Sequence, residues 1–158
     1  MNKDFFKTTK ILDGGMGQEL LARGMKPKGT LWSANALVDE KYHNLILDIH
    51  NDFIKSGADV IVTTTFTTRR KRLRENGIED QFKYLNQKAC EIAQKAKSNN
   101  PNVKIAGGLP PQNLTYEEDK RSEEDIVKDH SELAEILNPY VDFFYFDVLS
   151  SVREFKIA

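Results

Sequence analysis

The sequence predicts an α/β protein on a parallel sheet, and three observations carry that expectation. Four short runs rich in apolar and β-branched residues begin near residues 11, 59, 103 and 141. Long segments with the apolar spacing of amphipathic helices lie between them. Each run ends in small or polar residues, the chemistry of a strand opening into a loop. Two parallel strands need a crossover, usually a helix, so alternating strands and helices imply parallel pairing. A strand spacing of roughly 40 residues suits successive βα units.

The first strand is Ile11-Leu12, ending in Asp13-Gly14-Gly15. A short helix is expected from Met16 to Arg23 with Gly24 as its stop, followed by a loop over residues 26–35. Asp39 opens a long helix with Tyr42, Leu45, Ile46, Ile49 and Phe53 on one face, and Gly57 ends it. Asp59–Thr63 is the second strand. The next helix carries Phe82, Leu85, Ala89, Ile92, Ala93 and Ala96 inward, until Asn99-Asn-Pro-Asn102 breaks it. Val103–Ala106 is the third strand, closed by Gly107-Gly108. A helix from about Ser122 to Leu137 precedes the fourth strand, Val141–Phe146. Ser151-Val-Arg-Glu154 has the spacing of a capping box opening a last helix.

Composition narrows the function classes. The 158 residues suit one domain. With 23 Lys and Arg against 24 Asp and Glu, the net charge of -1 argues against a dedicated nucleic-acid binder. The single cysteine, Cys90, excludes an internal disulfide and any zinc site needing two thiolates from these residues. No apolar run approaches the ~18 residues of a membrane span, and MNKDFFKTTK lacks the apolar core of a signal peptide. No membrane partner and a cytoplasmic location are the expectation.

In a parallel sheet all C-terminal strand ends share one face, where the sites of α/β proteins form. Asp13, Gly14, Gly15, Thr63, Thr64, Thr65, Gly107, Gly108 and Asp147 are therefore expected to converge there, a set suited to a small polar ligand with an ammonium or hydroxyl group. The weaker alternative for Asp13 is a turn or cap residue, and the threonines could equally reflect β-propensity alone. Gly15-x-Gly17 is no dinucleotide fingerprint, since the third glycine would fall on Leu20. His43 and His50 stand about 10 Å apart along their helix, so these and His130 are expected to be surface or packing residues rather than metal ligands. Cys90 reads as packing. The run Arg69-Arg70-Lys71-Arg72-Leu73-Arg74 is expected to be a solvated face rather than an anion site.

Five ordered segments carry a family resemblance: Ile11–Leu20 with Gly24, Leu31-Trp-Ser-Ala-Asn35, Gly57–Phe66, Ala106-Gly-Gly-Leu-Pro-Pro111 and Asp142–Ser151. Together they resemble the homocysteine S-methyltransferase family, nearly from end to end. The resemblance implies a zinc-dependent (β/α)8 TIM barrel, of which this chain is the first half, about four βα units. Residues 1–158 are then expected to be the N-terminal part of a homocysteine-binding domain, ending within the helix after strand four.

The implied reaction moves a methyl group from a sulfonium or ammonium donor, of the S-methylmethionine, S-adenosylmethionine or betaine type, to homocysteine. By resemblance, Asp13 holds the homocysteine ammonium, Gly14 and Gly15 admit its backbone, and Thr63, Thr64 and Thr65 line the pocket. Trp32 faces the methyl donor, and Asp147 stands where the family usually has Glu. Val148 replaces the usual Thr, and Thr64 sits where many members have Asn. The zinc ligands are three cysteines from the later half of the barrel, and Cys90 matches none of them. The expectation is therefore an enzyme by family but an inactive isolated chain, with self-association through exposed half-barrel surfaces. The alternative is a non-catalytic half-barrel that binds an amino acid or pairs with another chain.

Overall fold

The structure, a computed structural model, describes residues 3–158; Met1 and Asn2, the first residues of the expected domain, lie outside the described residues. Seven α-helices and three strands follow in the order α1 Met16–Ala22, α2 Asn35–Val38, α3 His43–Lys55, β1 Val60–Val62, α4 Arg70–Glu75, α5 Phe82–Ser98, β2 Lys104–Leu109, α6 Glu123–Leu137, β3 Phe143–Phe146 and α7 Val152–Ile157, among the described residues. The sheet is parallel with β1-β2-β3 in sequence order, as successive right-handed βα units require.

The expected first strand is reduced to one parallel bridge, Leu12 to Val60. Two apolar residues between Lys10 and Asp13 are too few for a ladder, and Ile11 and Leu12 remain exposed. The stub is still pinned: Asp59 N–H donates to Ile11 O at 2.8 Å, and Asp13 N–H donates to Val60 O at 2.9 Å. That anchorage places Asp13 beside the end of β1.

The Gly107-Gly108 pair lies inside β2 rather than closing it. A Cβ on Gly107 would press on Phe144, Val141 and Leu137, and one on Gly108 on Val62 and Thr65. The glycines therefore allow close packing on both sheet faces, and the strand continues through them. Residues 26–35, expected as loop, end in a tight 3-10 turn at Trp32–Ala34 that runs into α2. Asp39 caps a turn at Glu40–Tyr42, and α3 begins only at His43.

The helices cover the sheet with the stripes their spacing predicts. Ile46 and Ile49 of α3, Leu85, Ala89, Ala93 and Ala96 of α5, and Ile126, Leu133 and Leu137 of α6 are fully buried. Ala93 and Ala96 meet Ile61, Val103 and Ile105, where small side chains let α5 approach the sheet. Ser122 and Ser151 cap α6 and α7 by accepting the Asp125 and Glu154 amides, as the sequence predicts for α7.

The basic run departs from the expected solvated face. Arg69 is only 2% exposed. Its guanidinium donates to Pro111 O at 2.6 Å and to Thr115 Oγ1 at 3.0 Å, so the loop after β2 supplies the partners that water would otherwise provide. Arg70 pairs with Glu132 and lies over the Phe82 ring, tying α4 to α6.

Candidate active site

The strand ends bring most of the expected residues around one cavity of about 320 Å³. Asp13, Gly14, Gly15, Thr63, Thr64 and Asp147 line it, together with Trp32. Thr65 does not: its hydroxyl is fully buried and donates to Gly108 O at 2.8 Å. Thr63 accepts the Gly108 amide at 3.0 Å, which ties the end of β1 to β2. Thr64 is the exception in the run, since its buried hydroxyl has no hydrogen-bond partner among the described residues.

Sequence reasoning missed three contributors. Thr67 accepts from the Ala34 amide at 2.9 Å and donates to Leu31 O at 2.8 Å, clamping the turn that carries Trp32 onto the segment after β1. Gly17 gives the indole its space, because a Cβ there would overlap Trp32 Nε1. Tyr145 of β3 lines the cavity beside both carboxylates. Tyr145 stands two residues before Asp147, a spacing that puts both on one side of an extended chain and could have revealed it; nothing local in the sequence marks Thr67. The threonines thus serve chiefly as a hydroxyl scaffold.

Backbone strain gathers at the same place. Trp32 has φ +49 and Val148, directly after Asp147, has φ +61. A β-branched residue in the left-handed region is costly, and such strain clusters at functional sites.

The electrostatics are lopsided. Two carboxylates face the cavity, and among the described residues no Lys, Arg or His lines it. Burial pushes the Asp13 carboxyl up to about 7, with the nearby Asp147 adding to the rise and the Val62 amide, donated at 3.0 Å, opposing it. Burial also raises Asp147. Behind Asp13, His50 is fully buried, and desolvation holds its imidazole down at about 4, so it is neutral at pH 7. At 3.8 Å its Nδ1 is beyond hydrogen-bond reach of Asp13 Oδ2 and supplies no positive charge there. The cavity can therefore lower its energy by taking in a cation with hydrogen-bond donors.

The same arrangement does not fit a metal. Among the described residues, no three of His, Cys, Asp and Glu come together to hold one. Cys90 is buried in the α5 core, where burial pushes its thiol up to about 12. His43 bonds Leu37 O, while His50 and His130 are packing residues buried at separate sites.

The homocysteine S-methyltransferase family model matches residues 10–158. The chain belongs to the homocysteine S-methyltransferase family. It is 33% identical over 109 residues to the homocysteine S-methyltransferase of Escherichia coli, covering 64% of this chain and 34% of that one. It is 29% identical over 143 residues to the S-methylmethionine–homocysteine S-methyltransferase of Rattus norvegicus, covering 90% of this chain and 36% of that one. Among solved structures, the Escherichia coli homocysteine methyltransferase MmuM aligns in its oxidized form with a TM-score of 0.80 and 28% identity, over 94% of this chain and 56% of that one. Its metallated form aligns with a TM-score of 0.79 and 26% identity, over 97% and 58%. The chain thus spans about a third of these two curated relatives and somewhat more than half of the solved chains. The arrangement of this family member is α/β, the parallel sheet and helices of the first half of a (β/α)8 barrel.

Proposed function

We propose that this chain forms the face of a homocysteine S-methyltransferase that grips the amino-acid end of homocysteine. The observation that carries this reading is the pair Asp13 and Asp147 facing one cavity with no cation lining it among the described residues. An α-ammonium supplies the missing charge and three N–H donors, which two carboxylates and the Tyr145 hydroxyl can accept. Gly14 and Gly15 line the cavity where the amino acid would lie, and the missing Cβ of Gly14 makes room for the Phe53 ring of α3.

Held at that end, the homocysteine side chain is directed toward Trp32, the one tryptophan of the chain. A methylated sulfonium or quaternary ammonium is drawn to an aromatic face. In the reaction the homocysteine sulfur forms the new S–C bond as the bond from methyl to the donor's onium atom breaks. The electron pair stays on the donor, which becomes neutral, and the thiol proton is lost. This chain's contribution is positioning, which lowers the entropic part of the barrier. The residues that would hold zinc are not among those described, so the isolated chain binds substrate without turning it over.

A matched pair of ligands tests the reading. L-Homocysteine is expected to bind, and N-acetylhomocysteine, which has no ammonium, is expected not to. Equal binding of the two would refute the role of the carboxylates. Methionine formation by the isolated chain would refute its inactivity.

A second reading has its own observation. Ile11 on the outer stub is 58% exposed, and Val152 and Phe155 of α7 are 71% and 56% exposed. These apolar residues at the two ends of the sheet favour self-association. Light scattering distinguishes a dimer from a monomer.

A further inference from the structure

His50 occupies a place on α3 that packing alone would give to an apolar residue. Ile46, Ile49 and Phe53 share its stripe. The imidazole is fully buried, and neither ring nitrogen has a hydrogen-bond partner among the described residues. Two unpaired buried polar atoms carry a cost that a leucine or phenylalanine at this position would avoid. Buried polar groups are nearly always paired, so such an orphan points to a partner in another state of the molecule.

That partner is close. Asp13 Oδ2 lies 3.8 Å from Nδ1 with both side chains buried, and a shift of about 1 Å brings the two within hydrogen-bond distance. Asp147 and Tyr145, from β3 and the segment after it, are the other titratable groups that act on Asp13. Among the described residues, α1, α5 and β1, which pack on α3, bring no charged group to the pair. A neutral imidazole carries one N–H, which can sit on either nitrogen. With neither nitrogen engaged elsewhere, the charge on Asp13 decides between them. An ionised Oδ2 favours Nδ1–H, which makes a charge-assisted bond to it.

We infer that His50 is the positioning residue for Asp13: when the carboxyl ionises, as an entering ammonium makes it do, neutral His50 donates Nδ1–H to Oδ2. Oδ2 is then held by the imidazole and by the Val62 amide, and Oδ1 is left for the ammonium. The Asp13 proton goes to solvent, and the imidazole keeps its single N–H, so no imidazolium forms. The inference rests on the function proposed above and deepens it, because ligand affinity then depends on a residue that never touches the ligand.

Nitrogen-15 spectra of the labelled chain read the tautomer, with the His50 ring signals assigned through its backbone. The Nδ1–H form is expected in the homocysteine complex, and also in the free chain at pH 8, where Asp13 is largely ionised. The Nε2–H form or an imidazolium in either sample would overturn the inference. His50→Leu is expected to move the pH midpoint of homocysteine binding up by about one unit, equivalent to about a tenfold loss of affinity near pH 7. His50→Asn, whose amide nitrogen stands near the place of Nδ1, should recover part of that shift. A Leu variant with the wild-type midpoint, or one weakened equally at every pH, would reduce His50 to packing and overturn the inference. The spectra need only the wild-type chain, should the variants fail to fold. If the wild-type chain does not bind homocysteine, the proposed function falls, while the free-chain spectra at pH 8 still decide the role of His50.

Discussion

Asp13 Oδ2 lies 3.8 Å from Nδ1 of His50 and takes its hydrogen bond from the Val62 amide instead. The two groups are neighbours that each suppress their own charge. Burial drives the carboxyl up to about 7 and the imidazole down to about 4. At intermediate pH both are neutral, so His50 does not compete as a cation with a ligand for Asp13.

Ligand binding should release protons. An ammonium entering the cavity favours the ionised Asp13, so a carboxyl that is protonated in the free chain gives up its proton. Release is expected to approach one proton per ligand below pH 7 and to vanish well above it. Calorimetry in buffers of different ionisation enthalpy measures this, and no buffer dependence at pH 6 would contradict it.

The stability of the free chain should carry the matching signature. A carboxyl whose folded pKa is raised stabilises the fold below its unfolded pKa, and that contribution is lost as pH rises through about 7. Asp13→Asn keeps an acceptor for the Val62 amide and removes the ionisation. The variant is expected to gain stability over wild type from pH 5 to 8, by a few kcal/mol at most. His50 acts oppositely in its own window: its contribution is present above pH 6.5 and is lost as pH falls through about 4. Urea unfolding of both chains across this range checks the slopes, and a difference independent of pH would contradict the Asp13 assignment.

Gly17→Ala should disturb the site without unfolding the chain. The added methyl has to displace the Trp32 indole. A shift in tryptophan emission is expected, with a weakened response to onium ligands and little change in homocysteine affinity. An unchanged emission spectrum would show that Trp32 is not held where the structure places it.

Cys90 should be inert. With the thiol buried and pushed up to about 12, disulfide-exchange reagents are expected to label it only on unfolding. Cys90→Ser should leave ligand binding intact. Rapid labelling of the folded chain would contradict the packing role.

Much of the fold was legible because its signals are periodic. The apolar stripes of α3, α5 and α6 and the β-branched run at Val60–Val62 lie where sequence spacing put them. The first strand was overread, since two apolar residues give a strand's composition without enough backbone to pair. Gly107-Gly108 was read as punctuation, whereas tight packing against Leu137 and Val62 needs glycine within the strand. The burial of Arg69 is not legible locally, because its partners, Pro111 O and Thr115, lie more than forty residues away in sequence. Thr67 is hidden in the same way, because its partners at residues 31 and 34 lie on a turn more than thirty residues away. Asp13, Thr63, Thr64 and Asp147 line one cavity, a placement legible in the sequence because a positional rule, the C-terminal face of a parallel sheet, does not depend on such contacts.

The central claim is that Asp13 and Asp147 hold an amino-acid ammonium. Its most direct measurement is the affinity of L-homocysteine for wild type and Asp13→Asn at pH 8, where Asp13 is largely ionised. Saturable one-to-one binding is expected for wild type, weakened about tenfold or more in the variant. Equal affinities, or no saturable binding by the wild-type chain, would contradict the account.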